Sequence, residues 1–238
     1  ADLFQRPRGI DTPTRFGEGV STAWEEPRVP PLPINEEEPR QRLAPPTLAA
    51  WLKHGEKPQL RRARIASFAA SLVGVKKVVA GGRRYASNCT DFVRAVFSLE
   101  GVDLYYWPGR PRGFAGVRGM YGLSAQTGGL HFKKTPELGD LVFFHHTYDF
   151  NRNGRIDDFL SHVAVVEKID GDGTVHYVDY AGGRVRRGRL NPRVPYRWRD
   201  PQSLKQLNSY LRRRKKTDPA GTRYLAGDLF AGFGTLIR

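Results

Sequence analysis

A chain of 238 residues, 39% hydrophobic and 26% charged, is long enough for one catalytic domain with appendages. Its formal charge of +15 calls for an anionic partner or anionic surroundings, while no apolar run approaches the roughly 20 residues of a membrane-spanning helix. A single cysteine excludes an intramolecular disulfide and any CxxC zinc or redox centre.

Residues 1–46 carry many prolines, mixed charge and the run Glu36-Glu37-Glu38, and read as an extended arm or linker. The chain starts at Ala1 with no basic–apolar leader, which fits a mature exported protein and equally a trimmed chain; with the motifs below, a secreted, periplasmic or wall-associated location is the expectation. Thr47 to His54 reads as a short helix capped by Thr47. Pro58 to Val73 reads as a longer one, with Ile65, Phe68, Ala69 and Leu72 at helical spacing and arginines on the exposed side. A third helix spans about Asn88 to Glu100, with Phe92, Val93, Val96 and Phe97 as its stripe and Gly101 as its stop.

Residues 102–136 read as irregular and aromatic-rich (Tyr105, Tyr106, Trp107, Phe114, Tyr121), either a substrate wall or core packing. Strands follow at Leu141–Phe144, His162–Ile169 and Thr174–Tyr180, the last two joined by the hairpin signal Asp170-Gly171-Asp172-Gly173, and Arg184–Arg189 continues the sheet. From Pro201 a tail reads as a basic surface helix over Lys205–Lys216 and a Gly-rich strap. The expected organisation is an arm at 1–46, an α+β domain at 47–200 and a basic tail at 201–238.

Cys89 stands in the first turn of the third helix, ahead of its apolar stripe. Free amides and the positive end of the helix there favour a thiolate and would hold a developing oxyanion. The bland alternative is a small buried hydrophobe. A thiolate needs a base. His162 opens a strand and is the leading candidate, with His145 and His146 competing at the end of the preceding strand, whereas His54 and His131 read as surface residues. If the hairpin turns on Gly171-Asp172, Ala164 pairs with Asp179, which places Asp179 on the face of His162. His176 then pairs with Glu167 and points away, and a bulge would reverse the two.

The ordered blocks SNCTDFVRAVF, PELGDLVFF, SHVAVVEK and TVHYVDYAGG resemble the NlpC-type and CHAP superfamily of cell-wall cysteine peptidases and amidases, over about residues 60–190. The resemblance implies a papain-like α+β fold, with N-terminal helices and a nucleophile at a helix start packed on an antiparallel sheet. It also implies hydrolysis of amide bonds in peptidoglycan stem peptides, with Cys89 and His162 carried over. The third position departs from the family: NlpC-type members use a second His there, and CHAP members an acidic residue with Asn two positions on. This chain has Asp179 followed by Ala181, or His176. Asn88 stands where CHAP members often have Gln and is either an oxyanion donor or the helix N-cap, and Tyr85 stands just upstream.

Between two strands, DFNRNGRIDDFL follows the calcium-loop pattern, with Asp149, Asn151 and Asn153 at positions 1, 3 and 5 and Gly154 at 6. The Arg155 carbonyl takes position 7 and Asp157 position 9. Leu160 occupies position 12 in place of the bidentate Glu, leaving Asp158 as a substitute. The two readings are a structural calcium ion that fixes the approach to His162, and an Asx-rich turn that needs no ion. No cofactor is needed for the chemistry.

With the resemblance, these features imply a cysteine hydrolase of peptidoglycan, and its basic surface is expected to bind the anionic wall polymer. The absence of helix-turn-helix, zinc-finger or RNA-binding aromatic patterns disfavours nucleic acid. The alternative is a non-catalytic basic wall- or nucleic-acid-binding protein on a degenerate hydrolase fold.

Overall fold

The computed structural model describes residues 56–106 and 115–238. The expected arm at 1–46, the helix at 47–54, and Trp107 and Phe114 lie outside the described residues.

The first described helix, α1 (Pro58–Ser71), starts on a proline whose missing N–H has no partner to lose in a first turn. It buries Ile65, Ala66 and Ala69. Its arginines are more than solvated surface. Arg61 Nε and Arg64 Nε donate to opposite oxygens of the buried Glu100 carboxylate, at 3.2 and 2.8 Å, and tie α1 to the segment after the next helix.

Two short strands, β1 (Val79–Ala80) and β2 (Arg83–Arg84), pair across Gly81-Gly82. Those glycines have φ of 53° and 74°, the left-handed geometry of a two-residue hairpin turn. This hairpin delivers the chain to Asn88, whose extended backbone and side chain start α2 (Cys89–Ser98). Asn88 Oδ1 accepts the Asp91 N–H at 2.8 Å, as an N-cap does.

A helix stands where irregular chain was expected: α3 (Gly116–Gln126). Gly116, Gly119 and Gly122 lower its intrinsic propensity, so burial of Val117, Met120, Tyr121 and Leu123 has to stabilise it. The glycines hid a helix whose driving force is tertiary. Tyr121 is core, edge-on to Phe143 at 5.2 Å between ring centroids.

The remaining strands are β3 (Leu130–His131), β4 (Leu141–Phe144), β5 (His162–Ile169), β6 (Val175–Ala181), β7 (Arg184–Leu190) and β8 (Phe230–Gly234). They form one antiparallel sheet in the order β3-β8-β4-β5-β6-β7. The tail after Pro201 therefore differs from its expected form. No helix forms over 205–216, and the Gly-rich strap is a strand inserted beside β4. The glycines of that strap are packing positions: a Cβ on Gly234 would strike the side chain of Ser124 on α3.

Period-2 alternation gives the sheet two apolar faces. Leu141, Phe143, Val163, Val165 and Val178 face the helices, in one cluster with Phe92, Val96, Met120 and Cys89. Val142, Phe144, Ala164, Val175 and Tyr177 face the C-terminal segment through Ala226, Leu229 and Phe233. Each such side chain fully buried contributes roughly 1.5–3 kcal/mol. The C-terminal segment is accordingly half of the cover of this sheet.

Candidate active site

Cys89 is the first residue of α2, where an amide N–H has no intrahelical acceptor. It is 9% exposed, at the rim of the helix-side core. Burial pushes its thiol up. The hydrogen bond and charge of His162, with the Val163 N–H, outweigh that and hold the thiol below its ordinary value.

His162 opens β5 opposite Phe144 of β4 and is itself buried. Its Nε2–H donates to Asp179 Oδ2 at 2.8 Å. That bond leaves Nδ1 as the ring nitrogen for Cys89. Burial disfavours an imidazolium here, but the carboxylate on one side and the thiolate on the other overcome it and raise the ring to about 10. Asp179 is fully buried. Burial raises its carboxyl, and His162 and Arg186 together bring it below the ordinary range. The three side chains run from helix start to sheet, and the lowered thiol and raised imidazole are the directions that favour a thiolate beside an imidazolium.

Asp179 reaches His162 by a route other than a simple two-residue turn. Asp170 N–H donates to Thr174 O, so the loop holds three residues, with Gly173 at φ 84°. That shifts the pairing by one, to Ile169 with Val175 and Lys168 with His176. A bulge at Glu167 restores the original register, giving Val166 with Tyr177 and Val165 with Val178. Asp179 thus falls on the His162 face. His176 sits opposite Lys168 instead of Glu167, and its Nε2 bonds Asp170 Oδ2 at 2.8 Å, away from His162.

Asn88 is held by its cap. Its Oδ1 also accepts from Thr90 Oγ1, and its Nδ2 donates to Asp91 Oδ2 at 3.0 Å. Tyr85 packs in the helix-side core under Arg83. His145, half-buried and lowered to about 4 by that burial and by neighbouring His146, accepts the Leu160 N–H at Nδ1. His131 is not a free surface residue, since Nε2 lies within 3.3 Å of Asp140 Oδ2 and Thr235 Oγ1.

The loop at 149–160 is wound on its own side chains. Asp149 accepts the N–H groups of Asn153 and Gly154, Asn151 accepts that of Asn153, and Asn153 accepts that of Arg155. Asp158 is buried and accepts the Phe150 N–H at 2.8 Å, and Asp157 pairs with Arg155 at 3.0 Å. The first half thus commits the oxygens of Asp149, Asn151 and Asn153 to backbone N–H groups of one turn. The second half has its carboxylates engaged elsewhere. Among the described residues, no three His, Cys, Asp or Glu side chains gather into a metal-holding group.

Two residues of the site escaped the sequence reading. Arg186 of β7 lies directly opposite Asp179, and its Nε donates to Asp179 Oδ1 at 3.0 Å. The signal was present in Ala181-Gly182-Gly183-Arg184, a two-residue turn whose register runs straight to that pair. Tyr148 is raised first by partial burial and then by the charge of Cys89, so this half-exposed side chain lies within electrostatic reach of the nucleophile. Nothing in its local sequence marks it, because a loop brings it there.

Helices on one face of an antiparallel sheet, with the helix start meeting a strand start, define a papain-like α+β domain. Residues 79–181, the segment that holds Cys89, His162 and Asp179, match the family model of the CHAP domain. Among solved structures, an N-acetylmuramoyl-L-alanine amidase from Staphylococcus aureus is similar at 19% identity with a TM-score of 0.30. That similarity covers 45% of this chain and only 28% of the amidase chain. No curated protein matches.

Proposed function

We propose that the chain is a peptidoglycan hydrolase that cleaves an amide bond of the wall by nucleophilic attack from Cys89. The observation that carries this reading is His162, held at 2.8 Å by the buried Asp179 while it bonds and charges the only thiol. The thiolate adds to the amide carbonyl carbon, and the oxyanion is taken up by the N–H groups at the start of α2. His162 gives its proton to the leaving nitrogen as the C–N bond breaks, leaving a thioester on Cys89. It then removes a proton from water, which attacks the thioester carbonyl and releases a carboxylate and the thiolate. Asp179 keeps Nδ1 aimed at sulfur and stabilises the imidazolium throughout.

The wall as substrate rests on the CHAP family of residues 79–181 and on the charge of +15, which suits an anionic polymer. A wall substrate puts the working enzyme outside the cytoplasm, and among the described residues no helix is long and apolar enough to cross a membrane. Purified peptidoglycan incubated with the protein is expected to release fragments with new amine and carboxylate ends, read by mass spectrometry. Cys89→Ala should bind the same material and release none. Equal release by Cys89→Ala would overturn the thiol mechanism, and binding without release by both proteins would make this a binding protein.

A further inference from the structure

Arg186 is placed to do more than balance a charge, and its further role rests on Cys89, His162 and Asp179 being the hydrolytic site. Asp179 is fully buried, and a carboxylate there needs a donor on each oxygen to stay ionised and in one rotamer. Oδ2 has His162. Oδ1 has Arg186 Nε at 3.0 Å, and Arg186 Nη2 reaches across to Oδ2 at 3.4 Å. The guanidinium fork therefore straddles the carboxylate edge and fixes the plane in which Oδ2 meets the imidazole.

The backbone makes this pairing rigid. Gly182 and Gly183, at φ 60° and 80°, close a two-residue turn that holds Asp179 opposite Arg186 in an unbroken ladder. One pair further on the same face, Tyr177 lies over Gly188, where any Cβ would collide with its ring. The fully buried Tyr177 ring walls Asp179 on that side. Arg186 itself is 41% exposed at its side chain, so it joins the buried carboxylate to the surface.

We infer that Arg186 is a positioning residue of the hydrolytic site, acting through Asp179 to hold His162 in line with Cys89. It touches neither substrate nor the reacting atoms in this role. Arg186→Met is expected to lower kcat by about tenfold or more, as loss of an outer-shell partner does, with KM changed little. The decisive reading is a double-mutant cycle. In an Asp179→Asn background the same Arg186→Met substitution should cost less than about twofold, because the carboxylate it positions is already gone. Arg186→Lys, which keeps the charge but cannot straddle the carboxylate, should fall between wild type and Arg186→Met in kcat while matching wild type in melting temperature. It serves in place of Arg186→Met should that variant fail to fold. A loss of the same size in both backgrounds would overturn the inference, since Arg186 would then act on substrate or on folding independently of Asp179. Wild-type kcat in Asp179→Asn alone would instead overturn the role given to Asp179, a different and separable result.

Discussion

Asp179 Oδ2 meets His162 Nε2 at 2.8 Å across a hairpin in which a three-residue loop and a bulge at Glu167 offset each other by one residue apiece. Either irregularity alone would turn Asp179 to the helix side of the sheet and leave His162 facing a different strand position. The contact is thus a property of the whole hairpin. Asp179→Asn keeps the shape but removes the charge that stabilises the imidazolium. We expect kcat on peptidoglycan to fall by about 10²- to 10⁴-fold with a melting temperature close to wild type. Turnover within twofold of wild type would remove Asp179 from the site.

The pH profile follows from the same pair. Cys89 is held below its ordinary value, so the thiolate is already formed under the usual thiol range near 8.5 and is lost as pH falls through the lowered pKa. His162 is raised to about 10, so the imidazolium that protonates the leaving nitrogen persists until pH rises through that value. Activity should therefore hold a plateau between the lowered thiol pKa and about 10, with its alkaline limb near 10. In Asp179→Asn the strongest support of the imidazolium is gone, and the alkaline limb should move toward neutrality. Iodoacetamide alkylation rates measured against pH check the acid side directly. A rate that rises only above about 8.5, as for a free thiol, would contradict the ion pair.

What could be read from the sequence and what could not divide along physical lines. The strands β4 and β5 stand where their apolar runs put them, and α2 starts on the residue its cap selects, because local pattern and burial agree there. Asp179 opposite Ala164 was reached from a turn that does not form, and only the offsetting bulge makes the outcome coincide. The helix α3 was hidden by Gly116, Gly119 and Gly122, and the strand β8 by Gly232 and Gly234. In both, glycine serves close packing that no local signal reveals. Tyr148 and Arg186 enter through a loop and a neighbouring strand, so their roles exist only once the chain is folded.

Gly188 tests how tightly the sheet supports the site. Its lack of a side chain lets the ring of Tyr177, buried on the face of Asp179, lie against β7. Gly188→Ala sets a methyl group against that ring, and the cost of such overpacking is about 1–3 kcal/mol. The expected result is a lower melting temperature together with reduced kcat, because Tyr177 must shift beside Asp179. Gly183→Ala is the contrasting control. It lies in open space but at φ 80°, so its strain is confined to the turn and should cost stability through the backbone without touching Tyr177. A melting temperature for Gly188→Ala equal to wild type would mean that Tyr177 does not occupy this position.

Calcium remains a proposal that the loop at 149–160 makes testable. Asp149, Asn151 and Asn153 would supply side-chain oxygens and Arg155 its carbonyl, while Asp157 would have to leave Arg155 to join them. Leu160 offers no closing carboxylate, and the carboxylate of Asp158 is occupied by the Phe150 N–H. Binding should therefore be weak, in the range of about 10⁻⁴–10⁻³ M found for extracellular modules. At about 5 mM calcium, well above that range, mass action predicts a gain of roughly 1–2.5 kcal/mol in stability, seen as a raised melting temperature that a chelator reverses. Asp149→Ala should abolish the calcium-dependent part of the rise. It should also lower the melting temperature without calcium, since Asp149 accepts the amides of Asn153 and Gly154. If calcium leaves the melting temperature of the wild-type protein unchanged, the loop is an Asx-rich turn held by its own hydrogen bonds, and it positions Tyr148 without an ion.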